Sequence, residues 1–269
     1  MLYNARNGQL TLDGAAVHYL QFGKGDRHLI MIPGLGDGLK TAEGMALPVA
    51  WQYRAFARAG YTVTLISRRE PLQEGCTTRD MAADLARCME LLGIHQADVL
   101  GVSQGGMIAQ WLAIDHPSLV HRLILAVTTP TGNETLQAVV PRWMEMARQG
   151  DYAGIMLYTA EKSYSDAYLK KNRLFLPLLG KVGKPGDFTR FLRMAEACLT
   201  HDTTAQLSSI TAPTLIIGGG QDKIVGAEAS RQLHEGIAGS ELYMYPAYGH
   251  AAYEEAKDFC SRVMGFIAL

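Results

Sequence analysis

Cysteine is scarce in this chain, and the few present do not cluster. Cys76, Cys88, Cys198 and Cys260 stand far apart in the sequence. No Cys-x-x-Cys pair is present, which excludes the usual zinc and thioredoxin-like spacings. The four read as reduced thiols of a cytoplasmic protein, with Cys88 and Cys260 expected on buried helix faces. Net charge is nearly absent too, at −1 over 269 residues. That leaves no electrostatic footprint for nucleic acid or an anionic lipid surface, so neither is expected as a partner. No apolar run approaches membrane-spanning length, and the N-terminus lacks a basic segment followed by an apolar one. Neither a transmembrane helix nor a signal peptide is therefore expected. No two histidines are spaced i, i+4, so no metal site is expected. Internal repeats and low-complexity tracts are also missing.

What remains is an ordinary globular balance, 48% hydrophobic and 19% charged, able to bury a sizeable core. The length suits one large domain or one domain carrying an insertion. Residues 16–20, 28–32 and 61–66 read as strands, the last being β-branched and apolar as a buried strand should be. Residues 51–59 read as a short helix ended by Gly60. Thr77-Thr78-Arg79-Asp80 fits a helix start of the Ser/Thr-x-x-acid type. Met81, Leu85, Cys88, Met89 and Leu92 then repeat at helical spacing until Gly93. Strands follow at 97–100 and 123–127, with a helix over 107–112 between them. From about Thr128 to Ser209 the alternation stops. That stretch is helical in period, rich in methionine, punctuated by Pro141, Pro177 and Pro185, and has no clear strand. Alternation resumes with a strand at 214–217, a helix near 227–233, a strand at 241–245 and a last helix near 253–267. Alternating elements imply a mainly parallel sheet covered by helices on both faces.

The residues with most chemical content lie where such a sheet would gather them. Gly101-Val102-Ser103-Gln104-Gly105 joins a buried strand to a helix. In that context Gly-x-Ser-x-Gly forms a sharp turn that presents the serine hydroxyl at the sheet edge. The backbone N–H of Gln104, at the helix start, would face a developing oxyanion. A serine needs a base to become nucleophilic at neutral pH, and the base needs an orienting acid. Asp222 follows the strand at 214–217, and His250 follows the strand at 241–245. Both would sit at strand carboxyl ends, on the edge that holds Ser103.

Other candidates are weaker on the same reasoning. Gly34-Leu35-Gly36 could open a dinucleotide fingerprint, but the third glycine position holds Leu39. Arg68 and Arg69 lie too far downstream for the usual ~20-residue offset. No cofactor is therefore expected. Gly218-Gly219-Gly220 lacks a following Gly-Lys-Ser/Thr and so is not read as a phosphate cradle. Asp202, beside His201, is an alternative acid for which a helix-terminal role is the expectation. Trp143, Met144, Met146, Met156, Tyr158, Phe175, Leu176 and Met194 are candidates for an apolar pocket, with about half of them expected only to pack.

Taken together, the chain resembles α/β-hydrolase fold enzymes of the esterase, haloperoxidase and lactonase-like group. The resemblance runs from about Gly14 to Ile267. It rests on Pro33-Gly34-Leu35-Gly36, Gly101-Val102-Ser103-Gln104-Gly105-Gly106, Pro213-Thr214-Leu215-Ile216-Ile217-Gly218 leading to Asp222, and Gly249-His250. It implies Ser103 as nucleophile, His250 as general base and acid, and Asp222 as the orienting carboxylate. It also implies the backbone N–H of Leu35 as the second oxyanion donor beside that of Gln104. Two departures stand out. Pro33-Gly34 replaces the family's His-Gly, removing a side chain that could brace the loop. Ser67-Arg68-Arg69-Glu70-Pro71 replaces Asp-x-x-Gly-x-Gly, and its arginines are expected to be solvated or paired with local acids.

The expected architecture is an α/β-hydrolase core over 1–128 and 210–269, with a helical cap inserted over 129–209. The expected activity is that of a carboxylesterase acting on small or medium acyl esters through an acyl-enzyme. A lactonase, thioesterase, perhydrolase or carbon–carbon bond hydrolase would use the same triad, and a slow-turnover ligand receptor would keep it. The expected partner is a small-molecule acyl substrate. Oligomeric state is not legible.

Overall fold

The computed structural model describes residues 2–178 and 180–268. Among these residues, eight strands form one sheet: β1 (Arg6–Leu12), β2 (Ala15–Phe22), β3 (Arg27–Ile32), β4 (Tyr61–Ile66), β5 (Ala97–Val102), β6 (Val120–Ala126), β7 (Thr214–Gly219) and β8 (Glu241–Tyr245). Their spatial order is β1-β2-β4-β3-β5-β6-β7-β8. β2 runs antiparallel to both of its neighbours, and every other adjacent pair is parallel. Strands buried on both faces must be apolar throughout, yet their side chains still divide by a period of two. In β3, Ile30 and Ile32 enter one apolar layer, while Leu29 and Met31 enter the other.

Helices fill those layers. On one face lie α3 (Thr78–Leu91), α4 (Gln104–Asp115) and α9 (Ala227–Gly236), which contribute Leu85, Leu112 and Leu233. On the other lie α1 (Ala46–Gln52), α2 (Arg54–Arg58), α10 (Ala252–Glu255) and α11 (Phe259–Ile267), with Phe56, Phe259 and Val263. α3 begins as its sequence predicts. The Thr77 side chain accepts from the Asp80 N–H while the Asp80 carboxylate accepts from the Thr77 N–H. Gly93 follows the helix at φ 69°, a left-handed turn that a Cβ would strain.

Between β6 and β7 the chain leaves the sheet for α5 (Glu134–Arg148), α6 (Tyr152–Ser163), α7 (Asp166–Asn172) and α8 (Thr189–Leu199). These form a third apolar cluster through Val140, Trp143, Ile155 and Phe191. This is the helical insertion of an α/β-hydrolase fold.

Several elements differ from their sequence expectation. β1 is an added edge strand, mostly exposed, so it carries no apolar run to announce it. The helix expected over 51–59 is two helices starting at Ala46, and the last helix is interrupted near Lys257. Pro141 lies inside α5 instead of ending it. Proline there removes one helical hydrogen bond, but Val139, Val140, Trp143 and Met144 are buried around it and hold the helix together. Cys88 is buried as expected and Cys260 only half-buried; all four cysteines are free thiols. Among the described residues, no helix is long and apolar enough to cross a membrane.

Candidate active site

β3, β5, β7 and β8 all end at the same edge of the sheet. Ile32 stands beside Gly101, and Val102 beside Ala126. The loops that leave these strands therefore emerge together, and they carry Leu35, Ser103, Asp222 and His250.

Ser103 turns the chain from β5 into α4 with φ 55° and ψ −121°. A non-glycine residue there costs on the order of 1–3 kcal/mol and persists only when its surroundings hold it. They do. The Ser103 N–H donates to the Ala126 carbonyl at 2.9 Å, and its carbonyl accepts from Thr128 Oγ1 at 2.7 Å and from the Gly106 N–H at 2.8 Å. Close packing also requires the flanking glycines. A Cβ on Gly105 would lie 2.0 Å from the Ile32 carbonyl oxygen, and one on Gly101 would lie 2.4 Å from that of Gly105.

The three sequence-predicted side chains meet in one hydrogen-bonded chain. Ser103 Oγ lies 2.9 Å from His250 Nε2, and His250 Nδ1 lies 2.8 Å from Asp222 Oδ2. The other Asp222 oxygen accepts the N–H groups of Ile224 at 2.8 Å and Val225 at 3.0 Å. Burial alone would raise the Asp222 carboxyl. The His250 imidazole and the two backbone donors outweigh that and hold it below its usual range. An ionised Asp222 draws the ring proton to Nδ1, which leaves Nε2 free to accept from Ser103. Asp202 is not part of this chain: its carboxylate accepts the N–H of Thr204, the first residue of a short 3-10 helix, which is the helix-terminal role expected.

Leu35 opens a short 3-10 helix, Leu35–Gly38, and Gln104 opens α4. First-turn N–H groups have no acceptor within their own helix. Gly34 lies against the serine, with a Cβ there only 3.2 Å from Ser103 Cβ, so this loop borders the Ser103 side chain.

Above Ser103 and His250 lies a cavity of about 370 Å³, walled by Leu35, Met107, Val140, Trp143 and Ile224 among others. Of the eight residues of the helical insertion considered from sequence, only Trp143 lines it. Met144 and Met194 are buried in packing, and Phe175 is 65% exposed. Helical periodicity finds a buried face but cannot separate a packed face from one that borders a cavity. Lys40 is the only lysine or arginine in the wall among the described residues.

The arginines after β4 divide. Arg69 pairs with Asp84 and Asp13, as expected. Arg68 also pairs with an acid, Asp37 at 3.7 Å, but in the interior and as part of a larger network that sequence did not show. It is buried behind the Pro33–Leu35 loop, where it donates to the Pro33 carbonyl and lies near Asp37. Asp37 in turn binds Arg190 of α8. Sequence reading missed Asp37, Arg190 and Thr128. Arg190 left one signal: it shares the helical stripe of Met194, Ala197 and Cys198, all buried. A cation on an apolar stripe must find a buried partner.

The helical insertion also grips the histidine loop. The Ala251 N–H donates to the Ser163 carbonyl at 2.9 Å, Ser165 Oγ donates to Glu255 at 2.6 Å, and the Tyr164 hydroxyl donates to Glu254.

Comparison with known proteins agrees with this architecture. A family profile described as alpha/beta hydrolase fold matches residues 27–257. The chain is similar to a 2-hydroxy-6-oxononadienedioate/2-hydroxy-6-oxononatrienedioate hydrolase of Pseudomonas sp, 26% identical over 265 residues, covering 94% of this chain and 92% of that one. Among solved structures it is similar to an alpha/beta hydrolase enzyme from a Medee basin deep-sea metagenome library. The TM-score there is 0.83 at 23% identity, covering 97% and 98% of the two chains. The enol-lactonase from Burkholderia xenovorans LB400 superposes with a TM-score of 0.82 at 21% identity, covering 97% and 100%.

Proposed function

The chain belongs to the alpha/beta hydrolase fold family, and from that premise we propose that it hydrolyses a small carbonyl compound with Ser103 as nucleophile, His250 as base and acid, and Asp222 as orienting carboxylate. The observation that carries this reading is the hydrogen-bonded chain Ser103–His250–Asp222 at the floor of an apolar cavity. Residues 129–209 would act as the cap that shapes that cavity.

In this scheme His250 Nε2 takes the Ser103 proton as Oγ attacks the carbonyl carbon. The resulting oxyanion is held by the backbone N–H groups of Leu35 and Gln104. As the tetrahedral intermediate collapses, the imidazolium returns its proton to the leaving group. Water then cleaves the acyl-enzyme by the same steps.

For the bond cleaved, we infer a carbon–carbon bond beside a ketone in preference to the ester expected from sequence. The relatives at 26–27% identity over nearly the whole chain are named for hydrolysis of 2-hydroxy-6-oxononadienedioate, a ketone dicarboxylate. A hydrolase acting on a ketone has a carbon–carbon bond to break. The leaving carbon must depart as a stabilised enolate, so the substrate needs a second carbonyl or enol conjugated to that bond, and the imidazolium protonates it. One observation favours the ester or enol-lactone reading. Lys40 is the only lysine or arginine in the cavity wall among the described residues, which suits a neutral or singly charged substrate better than a dianion.

A substrate panel decides between them. Wild type and Ser103→Ala are assayed on p-nitrophenyl acetate, butyrate and octanoate, an enol lactone, and a mono- and a dicarboxylic 2-hydroxy-6-oxo-dienoate, with fluorophosphonate labelling alongside. The expected result is turnover of a dienoate at a kcat/KM above that of every ester, and a loss of at least ~10³-fold in Ser103→Ala. Faster turnover of the short esters would return the assignment to carboxylesterase. Activity that survives Ser103→Ala would remove the serine mechanism altogether.

A further inference from the structure

We infer that Arg68 is a positioning residue of the oxyanion hole, the buried hub that ties both of its backbone donors to the cap; the inference rests on the serine-hydrolase reading above. The loop after β3 lacks the histidine that related enzymes carry, and Arg68 stands where its support is needed. One guanidinium nitrogen, Nη2, donates to the Pro33 carbonyl, two residues before Leu35. The same nitrogen donates to Gln104 Oε1 at 3.2 Å. It therefore links the residue that carries one oxyanion N–H to the loop that carries the other.

The network continues into the cap on both sides. Gln104 Nε2 donates to the Met194 carbonyl of α8 at 2.6 Å and reaches Cys198 Sγ at 3.0 Å. The Arg68 N–H donates to Asp37 Oδ2 at 3.0 Å, and Arg190 of α8 donates to that same oxygen and to the Asp37 carbonyl. The side chains of Arg68 and Asp37 are 3% and 2% exposed. Rigid support of this kind is what a preorganised donor pair requires.

Charge adds a second effect. Two guanidinium groups share one carboxylate, so the cluster keeps one positive charge. Burial pushes the Arg68 guanidinium down to about 10, which leaves it charged at neutral pH. Burial pushes the Cys198 thiol up to about 12, so it supplies no counter-charge. Arg68 Nε and Nη1 have no hydrogen-bond partner among the described residues. A buried cation whose own hydrogen bonds lead to both oxyanion-bearing segments favours the negative charge that forms there only in the transition state.

The test compares wild type, Arg68→Met, Arg68→Lys and Ser103→Ala on whichever substrate of the panel is turned over fastest. Each is measured for kcat, KM, inhibition by a trifluoromethyl ketone that adds to the serine as an oxyanion, and inhibition by the product acid. Arg68→Met is expected to lose roughly 10²-fold in kcat, with KM and product inhibition within threefold. The trifluoromethyl ketone should weaken in parallel with kcat. Arg68→Lys, which keeps the charge but not the fork, should recover part of the loss. Wild-type kcat in a folded Arg68→Met overturns the proposal. So does a loss that appears equally in KM and product affinity, since that is the mark of a deformed pocket. If Arg68→Met does not fold, Arg68→Lys is judged alone, with a kcat and ketone loss at constant KM expected and unchanged kinetics overturning it. Retained activity in Ser103→Ala would instead overturn the underlying serine reading, whatever Arg68 does.

Discussion

Replacing Asp222 with asparagine is the sharpest test of how the histidine is held. The change is nearly isosteric, and the new side-chain oxygen can still accept the N–H groups of Ile224 and Val225. The amide nitrogen must then face His250 Nδ1, now 2.8 Å from a carboxylate oxygen. Two donors cannot share that bond, so the ring moves its proton to Nε2. Nε2 lies 2.9 Å from Ser103 Oγ. In the new tautomer it donates to the serine and can no longer take its proton. The expected loss is about 10⁴-fold in kcat, or about 5 kcal/mol on the barrier. Thermal stability should fall less than in Asp222→Ala, because the Ile224 and Val225 N–H groups and both ring nitrogens of His250 keep partners. Asp222→Ala separates the two roles. It leaves the Ile224 and Val225 N–H groups unpaired, at about 1–3 kcal/mol each, and should lower Tm by several degrees in addition to the kinetic loss. Steady-state kinetics and thermal unfolding on the same preparations check both. Asp222→Asn within tenfold of wild type would refute the orienting role.

Two further outcomes follow from the packing. Gly105→Ala puts a Cβ 2.0 Å from the Ile32 carbonyl, where backbone must move, whereas a Cβ on Gly36 meets nothing within 4 Å. Gly105→Ala should therefore lose fluorophosphonate labelling and several degrees of Tm while Gly36→Ala keeps its Tm; equal Tm for the two would contradict the close approach of β3 and α4. His201 is buried, with Nδ1 2.8 Å from Thr78 Oγ1, and burial pushes its pKa from 6.5 down to about 4. The fold thus prefers the neutral ring. Its contribution is whole above pH 6.5 and is lost as pH falls toward 4, about 3 kcal/mol across that window. Urea unfolding at pH 7.5 and 4.5 should show a smaller drop for His201→Gln than for wild type, and an identical drop would remove His201 as a source of acid sensitivity.

Much of this molecule was readable because its central strands are buried on both sides. Residues 61–66 are such a strand with the bounds their pattern predicts, and the half-buried edge strand at 241–245 keeps its predicted bounds as well. Ser103, Asp222 and His250 were legible because each follows a strand that its pattern announces and is of a distinctive residue type, and the structure brings the three together. What sequence hid was of two kinds. β1 is an exposed edge strand held by backbone pairing to β2, so its side chains carry little pattern. Pro141 reads as a break because the burial that keeps α5 continuous comes from other elements. The polar network behind the Pro33–Leu35 loop hides for a related reason. Asp37, Arg68 and Arg190 lie on three separate segments, and no local rule links a charge after β3 to one on α8.

That network bears on how the cap and the chemistry are related. A cap that only roofs a cavity could be exchanged to change specificity while leaving kcat alone. Here α8 is bonded through Met194 to Gln104 and through Arg190 to Asp37, while the end of α6 and the turn after it are bonded through Ser163 and Ser165 to the segment that follows His250. Both halves of the proposed machinery, the oxyanion donors and the base, are thus held partly by the residues that enclose the substrate. Substitutions at Val140 or Trp143, which face the cavity and take no part in these bonds, should change KM between substrates. Changes at Arg190 or Ser165, whose side chains make such bonds and do not line the cavity, should move kcat for all of them. Because coupling passes through bonds made before substrate arrives, it acts on positioning of the catalytic groups and is independent of which acyl group is bound.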